Sequence, residues 1–367
     1  MERVNESVVA GVAGAGHVPA QPLDPRLERA ARAVRAKPFE PHPLFRGGHA
    51  QTIAASQHPV RLRDLRTDRA LYEQRYVEVE PDTRVLVECR WQPRRREAPT
   101  LLVMHGLEGS TDSLYVRGTA RKAFASGFNV ACLNMRTCGG TEHLSPTLYH
   151  NGLTGDIHRV VTELTEGEGL RELFLAGFSM SGNMMLRLAG EYGEEPPAAL
   201  AGVCAVSPSI DLAGCVERIE RPSNLIYQMS FIRHLRGRLR RKNRLQPGAF
   251  NLRGLWRVRT IRQFDDRFTA PHGGFRDAAD YYASTSSLPV IPRIRVPTLI
   301  LHAIDDPLIP AEPFTTPAVL GNPSVLLVLT ERGGHVGFYA GRAPAGEDRH
   351  WAENRVVEFC RLLAREG

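Results

Sequence analysis

The chain has 367 residues, 42% hydrophobic and 24% charged, the balance of a soluble globular protein with room for one large α/β domain and an insertion. No run is long and apolar enough to span a bilayer. The start, MERVNESVVAGVAGAGH, is acidic, weakly apolar and without a cleavage site, so it reads as a tail and not a signal peptide. The formal net charge of +7 is concentrated, because twelve Arg or Lys residues and no Asp or Glu lie between Arg221 and Phe264. The six cysteines are scattered, with no CxxC pair. That pattern fits buried thiols of a cytoplasmic protein better than a disulfide or zinc framework.

In chain order, residues 1–37 are rich in Ala, Gly, Pro and Arg and read as a flexible tail, with at most a short helix over Arg26–Ala36. PFEPHPLFRGGHAQTIAAS follows, punctuated by Pro and Gly, and is expected along the domain surface. YVEVE (76–80) and RVLVECRW (84–91) alternate polar and apolar residues as a half-exposed antiparallel pair does. The pattern then changes to short continuous apolar runs: TLLVMHG, FNVACLNM, LFLAGFS, AGVCAVS, TLILHA and VLLVLT. Helix-length segments near 113–126, 154–166, 181–192 and 349–365 separate or close them. This alternation predicts a mostly parallel, doubly wound sheet of about eight strands, its core halves at 38–208 and 293–367. Residues 209–292 carry no strand pattern and are too long for a plain loop, so they are expected to form a basic helical lid.

Functional residues of such sheets gather at the carboxyl ends of strands, and three strand ends here carry Ser, Asp and His in that chain order. In LAGFSMSGN, Ser179 follows a strand and precedes a helix, as a nucleophile on a sharp strand-to-helix turn does. Taken alone it also fits a helix N-cap. Gly177 supplies the small residue before it, but Ser181 stands where the Gly-x-Ser-x-Gly pattern has its second glycine. Ser181 reads as a small filler, so Ser181→Gly is expected to keep or raise activity. In HAIDDPLIP, Asp306 occupies the loop position suited to a carboxylate that orients a histidine, with Asp305 the alternative. His335 in TERGGHVGF follows the last strand behind two glycines. The turn HGLEGS places the Leu107 N–H where, with the Met180 N–H after the serine, it would form an oxyanion hole.

These motifs, with PFEPHPLFRGGHAQTIAAS and NMRTCGGTEHLSPTLYHNGLTGDI, resemble the YheT-like α/β hydrolases, a family that includes eukaryotic abhydrolase-domain lipases. The resemblance covers roughly residues 38–365. It implies an α/β-hydrolase fold, esterase or lipase activity, and catalytic roles for Ser179, Asp306 and His335; the motifs themselves call for no cofactor. Two positions depart from the family pattern: Ser181 replaces a glycine of GFSxGGN, and Thr137 replaces a glycine of NxRGxGG. Asp156 also matches a family position and is expected to brace a loop.

The expected reaction is hydrolysis of a small-molecule ester, of acyl or lipid type, through an acyl-enzyme. An acyltransferase using the same residues and a catalytically silent binding protein using the basic lid remain alternatives. The lid segment SNLIYQMSFIRHLRGRLRRKNRL mixes apolar residues with arginines, which fits either a solvated lid or peripheral contact with anionic membrane. No nucleic-acid module accompanies the charge. No P-loop or post-strand GxGxxG is present, and His42, His49 and His58 lack metal-ligand spacing.

Overall fold

The computed structural model describes residues 23–56 and 70–365. The first 22 residues of the expected tail, and His58, lie outside the described residues. The strands are β1 (Glu73–Glu80), β2 (Thr83–Arg90), β3 (Thr100–Met104), β4 (Asn129–Leu133), β5 (Leu173–Phe178), β6 (Leu200–Val206), β7 (Thr298–Ala303) and β8 (Val325–Thr330). They form one sheet in the order β1-β2-β4-β3-β5-β6-β7-β8. The β1/β2 and β2/β4 pairs are antiparallel and the others parallel. β3 to β7 are almost wholly buried, as apolar strands covered on both faces must be.

The principal helices are α1 (Pro25–Arg35), α2 (Gly48–Ser56), α3 (Leu114–Ala125), α4 (Thr154–Thr162), α5 (Met180–Tyr192), α6 (Leu212–Ile219), α7 (Leu225–Leu245), α8 (Ala278–Thr285) and α9 (Trp351–Leu363). One core layer, between the sheet and α4, α5 and the insertion, is built from residues such as Ile157, Met184 and Phe264. The other lies between the sheet and α1, α3 and α9. Residues 209–292 hold helices and turns and no strand. They leave the sheet after β6 and return to β7, its neighbour in the sheet. No helix among the described residues is long and apolar enough to cross a membrane. All six cysteines are free and buried.

The short helix expected over Arg26–Ala36 is present, but it is docked, so the expectation of a flexible tail through residue 37 does not hold for its described part. Asp24 accepts the Arg26 N–H at 2.8 Å, Pro25 opens the first turn, and Leu27, Ala30, Ala31 and Val34 are buried at helical spacing. Arg29 donates to the Leu362 carbonyl at 2.6 Å, and the Trp351 indole N–H to the Lys37 carbonyl at 2.8 Å. The Ala- and Arg-rich composition concealed a stripe of small apolar residues that docks against α9. Leu27→Ala should therefore destabilise the fold by about 2–5 kcal/mol, read as a lower urea midpoint. A shift corresponding to less than about 1 kcal/mol would show that the helix contributes little.

Candidate active site

Between β5 and α5 the backbone reverses at Ser179 with φ 55° and ψ −116°, a conformation costly for any residue with a Cβ. Its surroundings hold it there. The Ser179 N–H donates to the Val206 carbonyl at 2.9 Å. A Cβ on Gly177 would lie 2.4 Å from the Ser181 carbonyl oxygen, which requires glycine at that position. Ser181 is fully buried and does more than fill space. Its Oγ accepts the Phe178 N–H at 2.7 Å and lies 2.7 Å from the Met104 carbonyl, to which it donates. One hydroxyl thus fastens the turn to the end of β3.

Ser179 Oγ lies 2.9 Å from His335 Nε2, and His335 Nδ1 lies 2.9 Å from Asp306 Oδ2. Asp306 is fully buried, and its other oxygen accepts the Leu308 and Ile309 N–H groups at 2.8 and 3.0 Å. Burial pushes its carboxyl up, but the His335 ring and these hydrogen bonds outweigh it and hold the group below the usual carboxylate value. Asp305 turns elsewhere: its Oδ1 accepts the Gly334 N–H at 2.9 Å and tethers the histidine loop.

Sequence reasoning placed residues 38–56 on the surface and missed their part in the site. The His335 N–H donates to Thr52 Oγ1 at 2.8 Å. Gln51 is buried; its Oε1 accepts the Tyr339 N–H at 2.7 Å, and its Nε2 donates to the Tyr339 carbonyl at 3.1 Å. Gly334 has φ 61°, and a Cβ there would sit 2.3 Å from the Gly48 carbonyl. The segment clasps the loop that carries His335. Of the histidines set aside earlier, His42 packs between Phe45 and Tyr339, and His49 stacks on Tyr227 of α7.

In the turn after β3, the Gly106 N–H donates to the Tyr115 hydroxyl at 2.9 Å and the Glu108 N–H to that of Tyr149 at 3.1 Å. Between them the Leu107 N–H has no partner among the described residues. Met180 opens α5, so its N–H has no intrahelical acceptor. Both residues line one cavity with Ser179 and His335.

The same turn is joined to the insertion. The Glu108 carboxylate accepts the Tyr149 hydroxyl at 2.7 Å and a forked pair from Arg238 of α7, Nε at 2.8 Å and Nη2 at 3.2 Å. Arg238 also donates to the Thr137 carbonyl. Thr137 is buried at φ 60°, so the glycine of the family pattern would sit there without strain. Asp156 braces the neighbouring residue, accepting from Arg136 Nε at 2.7 Å. Further along α7, Arg241 Nε lies 2.7 Å from Glu142, and Lys242 donates to the Glu142 carbonyl at 2.9 Å. Part of the basic face expected in solvent therefore points inward.

The cavity holds ≈ 100 Å³, and its walls are mostly apolar, including Leu212, Val216, Ile219 and Phe231. A cavity of this kind beside Ser179 suits a ligand with an apolar portion. The geometry also reverses the expectation for Ser181→Gly. Removing the hydroxyl takes a buried partner from the Phe178 N–H and the Met104 carbonyl, which the β3/β5 ladder also pairs, at a cost of about 0.5–1.5 kcal/mol. The variant should unfold at lower urea and lose activity with it; unchanged stability would show that the hydroxyl clamp is dispensable.

The α/β hydrolase fold profile matches residues 99–341. Among curated proteins, YheT of Escherichia coli (strain K12) is 34% identical, over 74% of this chain and 80% of its own. Monoacylglycerol lipase of Saccharomyces cerevisiae is 30% identical, over 73% of this chain and 60% of its own. Phospholipase ABHD3 of Homo sapiens is 28% identical, over 73% and 65%. The chain thus spans less than two thirds of the yeast and human proteins. Among solved structures, the Pyrococcus furiosus esterase Pf2001 superposes with a TM-score of 0.52 at 17% identity, covering 80% of this chain and 94% of that one, a likeness of fold. By the matched profile and the 34% identity to YheT, the chain belongs to the YheT-like branch of the α/β hydrolase fold family.

Proposed function

We propose that this carboxylic-ester hydrolase cleaves acyl esters of lipid type with Ser179 as nucleophile, His335 as base and Asp306 as its orienting carboxylate. The observation that carries the reading is the continuous hydrogen-bonded chain from Asp306 through His335 to Ser179, 2.9 Å at each link, at the wall of an apolar cavity. The buried, ionised Asp306 accepts from Nδ1, so the imidazole carries its proton there and Nε2 is free to take the proton of Ser179. Oγ then attacks the ester carbonyl. The Leu107 and Met180 N–H groups receive the oxyanion, and His335 returns the proton to the departing alcohol. Water, deprotonated by the same nitrogen, releases the acid. The monoacylglycerol lipase and phospholipase among the relatives support a lipid-type ester.

Ser179→Ala should reduce hydrolysis of p-nitrophenyl octanoate by about 10³-fold or more, and a fluorophosphonate should label Ser179 in the folded wild type. Wild-type rates in the variant would overturn the assignment, and unlabelled Ser179 would favour the silent binding protein.

We propose further that the outer face of α7 meets anionic lipid. Leu225 and Met229 are exposed beside Trp256, Ile226 is exposed on the same helix, and Arg233, Arg240 and Arg259 line one groove with Leu225, Met229 and Trp256. Phe231, on the same helix, lines a cleft reaching Ser179. Apolar residues beside cations that have no ion pair among the described residues suit an interface between anionic headgroups and acyl chains. The protein should co-sediment with phosphatidylglycerol vesicles at low salt and be released at high salt, and Ile226→Glu should weaken the binding. Equal partition to zwitterionic vesicles would exclude the electrostatic part, and no sedimentation at low salt would exclude the surface.

A further inference from the structure

The cavity at Ser179 has one feature that an acyl-binding pocket does not need. Asp265, in the turn after the short helix Ile261–Phe264, is the carboxylate in its lining. It is buried and has no ion pair among the described residues; its oxygens accept the Thr269 hydroxyl at 2.6 Å and the Tyr282 hydroxyl at 2.7 Å. A carboxylate has room for further donors beyond these two. Burial pushes its carboxyl up to about 6 in spite of both bonds. Near neutral pH the group is therefore mostly ionised at a cost to the fold, and the two hydroxyls alone would be held as well by a neutral amide.

Tyr281, in α8, lines the same cavity. Its hydroxyl oxygen accepts both the Asn151 N–H and Nδ2, each at 3.1 Å. Its own proton has no acceptor among the described residues. The insertion thus presents the cavity with an acceptor in Asp265 and a donor in Tyr281, on a lining that also holds Ser209, Thr269 and the Glu108-paired Arg238. A hydroxyl group, which donates and accepts at once, matches that pair.

We infer that Asp265 and Tyr281 form a polar subsite that selects esters bearing a hydroxyl group on the portion held in this cavity. The inference rests on the hydrolase reading of Ser179 and adds the substrate class. The hydroxyl has two sources, the acyl chain and the alcohol. A site built around a hydroxyl discriminates strongly against the analogue lacking it, because its polar groups are then left unpaired.

The test measures kcat/KM for two substrate pairs on wild type, Asp265→Asn, Asp265→Leu and Tyr281→Phe. One pair is p-nitrophenyl ω-hydroxyoctanoate against p-nitrophenyl octanoate, and the other is monooctanoylglycerol against ethyl octanoate. In one pair the wild type should prefer the hydroxyl-bearing ester by at least about tenfold, which identifies the source. Asp265→Leu should erase the preference by slowing the hydroxyl-bearing ester at least about tenfold more than the plain one, with Asp265→Asn and Tyr281→Phe between. Fluorophosphonate labelling of Ser179 at an unchanged rate verifies that each variant keeps its site. No wild-type preference in either pair overturns the subsite. So does an equal loss on both esters in Asp265→Leu and Asp265→Asn with labelling intact. If wild-type Ser179 neither labels nor turns over any ester, the hydrolase reading fails instead. Calorimetric binding of both pairs then reads the subsite directly: a preference for the hydroxyl-bearing ester in one pair supports it, and none in either pair overturns it.

Discussion

The positive φ of Ser179 is the constraint around which the rest of the molecule is arranged. A serine held this way is pushed out of the strand and presented ahead of a helix N-terminus, and the local sequence cannot sustain it alone. Gly177 makes room and Ser181 ties the turn to β3, while the Val206 carbonyl anchors the serine N–H from the other neighbouring strand. Because β5 lies between β3 and β6, both restraints come from strands whose own positions are fixed by the sheet. The strain is borne by the core, which leaves the Ser179 side chain free to meet His335.

Charge is distributed on a second principle. The insertion looks in sequence like a uniformly basic surface, yet in space it is divided. Arg238, Arg241 and Lys242 are turned toward Glu108, Glu142 and loop carbonyls. Other arginines of α7 and the following turn stand beside exposed apolar side chains. A buried pair such as Glu108 with Arg238 brings little net stability against its desolvation, but removing one partner leaves an uncompensated charge. Its value here is positional. Glu108 adjoins Leu107, so the N–H proposed to receive the oxyanion is referenced to the insertion that walls the cavity.

The sheet was legible because fully buried parallel strands leave continuous apolar runs, and those runs also revealed Ser, Asp and His after β5, β7 and β8. Choosing between Asp305 and Asp306 was a matter of loop geometry, since adjacent side chains diverge and only one faces the imidazole. Other features left no local trace. Glu108 and Arg238 stand 130 positions apart, and nothing near either residue announces the other. Gln51 and Thr52 act through the loop of His335, far away in sequence. Asp265 belongs to no motif, and only the closing of helices around the cavity distinguishes it from the neighbouring Asp266. Ser181 was visible as a departure, but its meaning depended on a carbonyl from another strand.

The insertion begins and ends on two strands that are already neighbours, so the sheet would close without it. A segment attached in this way can be lengthened, shortened or exchanged while the β6/β7 pairing stays intact, and substrate preference can diversify while the reaction stays the same. The Arg238 fork limits that freedom. An insertion transplanted into a related protein would bring an arginine that needs a carboxylate and a tyrosine waiting for it. In this lineage Glu108, Tyr149 and α7 should therefore be inherited as one unit.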